Sequence, residues 1–143
     1  MEMNGLHDDA LLEKLNEGKV VQLAPVGISM TPFIRGGQDR VLVKKAEEIA
    51  VGDIVLVTYC GKLLLHRVYA IHEPHIVLMG DGLLKGNEVV TRSEVWGKVI
   101  QILKPNGKCI QPGKAWLWRH TIGIRRYLLK VDRKWNQWFR KQQ

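Results

Sequence analysis

The order of apolar and polar positions divides the chain into three stretches of different period. Residues 8–17 carry Leu11, Leu12 and Leu15 at helical spacing, with Asp8 and Asp9 at the positive end of the helix dipole and Gly18 as a stop. From there to about residue 112 the period is that of strands. Seven short runs rich in Val, Ile and Leu follow one another, at 20–25, 40–45, 53–59, 62–71, 75–80, 94–103 and 108–112. Gly, Pro, Asn and Asp punctuate them at 36–39, 52–53, 60–61, 73–74 and 105–107. Asn106-Gly107, set between two of these runs, predicts a hairpin with a type I′ turn. Short strands at such close spacing predict a mainly β fold, a small coiled antiparallel barrel.

Past Pro112-Gly113 the period becomes helical again. Leu117, Thr121, Ile124, Leu128, Val131, Trp135 and Trp138 follow alternating steps of four and three and fall on one face. The pattern therefore predicts a β-domain over 1–112 and an amphipathic helical tail over 113–143.

Charge sharpens that division. Net charge is +8, yet residues 1–112 hold thirteen basic and thirteen acidic side chains. Residues 113–143 hold nine basic side chains and only Asp132 on the acidic side, so the whole excess belongs to the tail. With Trp116, Trp118, Trp135, Trp138 and Phe139 among these cations, residues 114–141 fit a segment lying in a membrane interface. A helix docked on the barrel or on a partner chain is the plainer alternative. Nucleic acid, on which tryptophans could stack and cations track phosphates, ranks last.

No apolar run approaches the ~20 residues that span a bilayer. Asp8, Asp9, Glu13 and Glu17 interrupt the place where a signal peptide would be apolar. The expected location is the cytoplasm or the cytoplasmic face of a membrane. Cys60 and Cys109 are too few for a disulfide framework, and two free thiols are a simpler reading than a bridge.

Candidate chemistry begins at Gly27-Ile28-Ser29-Met30-Thr31-Pro32, directly after a strand. Such a segment makes either a turn or a nucleophile loop. His66 falls in the middle of an apolar strand, where a neutral imidazole is either structural or able to take a proton from a nearby hydroxyl. Asp81, between Gly80 and Gly82, reads by itself as a turn residue. Met30, Pro32 and Phe33 beside the serine either shape a substrate groove or pack the core. Arg67 is expected on the opposite strand face from His66, paired or solvated. His72 and His75 with His66 form no complete metal set, and neither metal nor cofactor is expected.

Taken in order, these strings resemble the signal peptidases over roughly residues 20–103. Gly27–Pro32 matches the nucleophile box and is followed by Gly52-Asp53-Ile54-Val55, His66-Arg67-Val68, Gly80-Asp81 and Gly97-Lys98-Val99. The bacterial branch and the LexA-like relatives of the wider clan carry Lys at the base position. His66 there resembles instead the endoplasmic-reticulum and sporulation-type branch, which pairs Ser with His and an aspartate. Lys44 and Lys45 do not sit at that position.

The resemblance implies a serine endopeptidase without cofactor. Ser29 would be the nucleophile, His66 the base, Asp81 the orienting acid and the Ser29 backbone N–H an oxyanion donor. Family members usually carry a second acid several residues after the first, and Glu88 is the nearest match. Position 27, which holds a hydroxyl donor in some members, is glycine here. The implied substrate is a leader-like segment of a peptide or protein, cleaved after small residues. The rival reading is a non-catalytic membrane- or partner-binding module on the same barrel. A self-cleaving repressor is disfavoured, because residues 1–18 are too few for a helix-turn-helix and no Lys replaces His66.

Overall fold

The fold is described from a computed structural model, for residues 2–3, 8–27, 29–80, 82 and 88–113. These residues form one α-helix and ten strands: β1 (Glu2–Met3), α1 (Asp8–Asn16), β2 (Val21–Leu23), β3 (Pro25–Val26), β4 (Arg40–Lys44), β5 (Ile54–Tyr59), β6 (Lys62–His72), β7 (His75–Met79), β8 (Glu88–Thr91), β9 (Val95–Leu103) and β10 (Cys109–Ile110). The strands make a single curled antiparallel half-barrel in the order β2-β4-β9-β5-β6-β1-β3. β10 hangs on β9, and β7 and β8 continue outward from β6. The mainly β architecture and the short helix near the start follow the hydrophobic pattern. The helical tail lies outside the described residues.

Three strands had no signal of their own. β1 and β3 are two residues each, too short to show a period. β8 is held extended by its pairing with β7, from His75↔Thr91 to Leu78↔Glu88.

The run Ile54-Val55-Leu56-Val57 does not alternate because the sheet is covered on both faces. Ile54, Leu56, Leu63 and Leu65 join Leu15 of α1, Met30, Ile34, Val41 and Val43 in one core. Val55, Val57 and Val68 meet Ile76, Leu78 and Val90 in a second core on the other side. The pairings Val55↔His66 and Ile54↔Arg67 put His66 on the second side and Arg67 on the first.

Turn chemistry departs from expectation in an instructive way. At 105–107 the hairpin forms, but Asn106 does not have the positive φ that a type I′ turn requires. Pro105 fixes its own φ for the second position of a type I turn, which the Gly107 N–H closes onto Lys104 O at 3.0 Å. Gly107, at φ +87°, then returns the chain to β10. The two-residue loop with both φ positive is Cys60-Gly61, at +50° and +77°, which joins β5 to β6. A cysteine tolerates that region poorly, whereas Asn visits it readily. Cys60→Asn is therefore expected to stabilise the chain by about 1 kcal/mol, read as a rise of a few degrees in Tm. Both cysteines are exposed and free, as two thiols rather than a bridge.

Candidate active site

The serine sits on a loop held at several points. β3 ends at Val26, and Gly27 turns the chain at φ +100°. A Cβ at Gly36 would collide with the backbone N and O of Gly27, so the two halves of the loop cross in direct backbone contact. Gly37 N–H donates to Pro25 O at 3.0 Å, and the N–H groups of Phe33 and Ile34 both donate to Met30 O at 3.0 Å. Met30 and Ile34, wholly buried, anchor this turn in the first core.

The far end of the loop is fixed by charge. Asp39, only 2% exposed at its side chain, accepts from Lys104 Nζ at 2.6 Å and from the Arg35 N–H at 2.8 Å. Lys104 also donates to Phe33 O at 3.1 Å. It follows β9 directly, so the chain leaving β9 pins the loop that carries Ser29.

His66 lies mid-strand in β6, 4% exposed, as expected for an imidazole among apolar neighbours. Its Nε2 is 3.2 Å from Ser29 Oγ, and its Nδ1 is 2.8 Å from Oε2 of Glu88, the first residue of β8. Two side chains separated by 37 positions thus meet, and a carboxylate stands behind the ring. The Nδ1–H donates to the ionised Glu88, which leaves the Nε2 lone pair facing the hydroxyl.

Burial pushes the Glu88 carboxyl up, but the hydrogen bond from His66 and the electrostatic attraction between the two groups help to outweigh it, so the carboxyl lies below the usual range. Its unfolded counterpart keeps the ordinary value, and folding therefore favours the ionised form. That stability is complete above the ordinary carboxylate range and is lost as pH falls through the lowered value. Urea midpoints measured from about pH 6 down to about pH 3 should fall less steeply in Glu88→Gln than in the parent chain.

Other expected site residues are placed differently. Met30 is fully buried in the first core, so its side chain packs the interior and does not line a groove, because the turn directs it inward. Pro32 is exposed and Phe33 half-buried, both on the loop surface. Asp81 lies outside the described residues. The neighbouring Gly82 N–H donates to Ser29 O at 2.8 Å, which ties Gly82 to the serine. Arg67 is on the opposite face from His66 but is neither solvated nor at the surface. It is 2% exposed, donates to Gly52 O at 2.8 Å and Gly113 O at 3.0 Å, and lies 5.1 Å over the Phe33 ring.

The Asp39–Lys104 pair left no trace in the sequence, since its members are 65 residues apart and belong to no motif. Among the described residues no three or more metal-ligating side chains converge, and no helix is long and apolar enough to cross a membrane. The family model described as Peptidase S24-like matches residues 7–100, well over half of the chain. No curated protein matches the chain.

Proposed function

The chain belongs to the Peptidase S24-like family, and on that premise we propose that it is a serine endopeptidase working through Ser29, His66 and Glu88. One observation carries the reading: a carboxylate, an imidazole and a hydroxyl stand in line, at 2.8 and 3.2 Å, on three separate elements. The longer of the two distances is usual for a site without substrate.

In the proposed reaction, Ser29 Oγ attacks the scissile carbonyl while His66 Nε2 takes its proton. Glu88 holds the ring and stabilises its charge. The tetrahedral oxyanion is met by the Ser29 backbone N–H, a donor of a kind worth about 3 kcal/mol. The Nε2–H then protonates the leaving amine, and the C–N bond breaks to give the acyl-enzyme. Water repeats the sequence with His66 again as base, releasing the acid product and the Ser29 hydroxyl.

Resemblance to the Ser–His signal peptidases supports a leader-like peptide segment as substrate, with Pro32 and Phe33 bordering the groove and Asp81 holding its turn. Residues 114–141 are proposed to bring the domain to an anionic membrane surface.

The test is chemical. A biotinylated fluorophosphonate should modify the folded chain at a single peptide that contains Ser29, mapped by mass spectrometry. A folded chain that takes up no label would leave only the non-catalytic module.

A further inference from the structure

Two strands lead to the reacting groups, and they are not neighbours. β3 ends at Val26, three residues before Ser29, and β6 passes Leu64 two residues before His66. Between them lies β1. Glu2 pairs with Val26 on one side and with Leu64 on the other, and Met3 pairs with Pro25, all antiparallel. β3 and β6 therefore run parallel to each other, with β1 filling the gap, and both advance toward the hydroxyl and the ring.

This filling is slight. Among the described residues β1 comprises Glu2 and Met3, whose pairing supplies only a few ladder bonds. One of its partners, Pro25, has no N–H to give. A gap one strand wide, bounded by two backbones whose N–H and C=O groups need partners, accepts another extended chain in place of β1. Short, weakly bonded elements of this kind open at low cost compared with a core strand.

We propose that residues 2–3 are an internal plug in the slot through which substrate reaches Ser29, so that an incoming extended peptide has to displace them. The inference rests on the peptidase reading above and adds regulation to that site. The resting chain is held in a low-affinity state, and whatever draws β1 out of the sheet raises the affinity for substrate. The apparent Kd is the intrinsic value divided by the unplugged fraction.

The plug can be locked. Glu2 and Val26 are register partners, and antiparallel partners lie within disulfide range. The variant Glu2→Cys, Val26→Cys is made in a chain with Cys60→Ser and Cys109→Ser, and compared oxidised and reduced. Two readouts are taken: fluorophosphonate labelling of Ser29, and hydrolysis of a quenched fluorogenic peptide with alanines before its central bond.

The small probe should label both forms alike, while peptide hydrolysis falls about tenfold or more on oxidation and returns with reductant. A second variant, Glu2→Pro, removes one N–H of the plug and should lower KM severalfold with kcat unchanged. Equal hydrolysis by oxidised and reduced chains, with labelling intact, overturns the plug and leaves the peptidase. Absence of labelling in the reduced form overturns the peptidase reading itself.

Discussion

Ser29→Ala is expected to bring peptide hydrolysis to background and to abolish fluorophosphonate labelling, with Tm unchanged. The hydroxyl is the only group removed, on a loop whose fixed points lie elsewhere: Gly37 N–H on Pro25 O, the buried Met30 and Ile34, and the Asp39–Lys104 pair. A triad acts as a unit, so its single losses overlap. His66→Gln should therefore cost at least about 10³ in kcat, and the double variant with Ser29→Ala no more than Ser29→Ala alone. Glu88→Gln should lie between parent and His66→Gln. It keeps a side chain of the same shape but gives up the charge that steadies the protonated ring. Full activity in Ser29→Ala would show that the reaction runs elsewhere.

Lys104→Met is expected to destabilise the chain by about 3 kcal/mol, the penalty for leaving a buried carboxylate without its cation. In a chain of this length that corresponds to a loss on the order of 10 °C in Tm. Among the described residues, Asp39 then keeps the Arg35 N–H as a donor but no second cation. The damage should be repaired in part by Asp39→Asn in the same chain, which replaces the orphaned charge with a neutral amide. A double-mutant cycle in urea measures the coupling. Additive losses would mean that the pair contributes little and that the loop is held by the core alone. Activity should fall with stability in Lys104→Met, since Lys104 also holds Phe33 O four residues beyond the serine.

The strands could be read where a period was long enough to see, as in the unbroken Ile54–Val57 run and the long β6. Elements built by pairing alone could not. β8 owes its extension to β7, and β1 to the gap between β3 and β6. Ser29 and His66 could be picked out because the resemblance gave each a box, whereas neither residue alone outweighs a turn or a core histidine. The carboxylate on Nδ1 was harder to single out. Two acids followed His66 at plausible distances, and only the diagonal reach of Glu88 from β8 distinguishes it. Arg67 keeps the face expected of it, but its partners could not be read from the strand pattern, since two backbone carbonyls and an aromatic face are among them.

The crossing of Gly27 and Gly36 carries a consequence for anyone who would transplant this nucleophile. A saturation library at codon 36, selected for hydrolysis, should return glycine alone, because a Cβ there would run into the main chain of Gly27 and Val26. The hydroxyl is aimed by bare main chain seven residues away, so a graft of Ser29, His66 and Glu88 onto another barrel would copy the reagents and lose the jig.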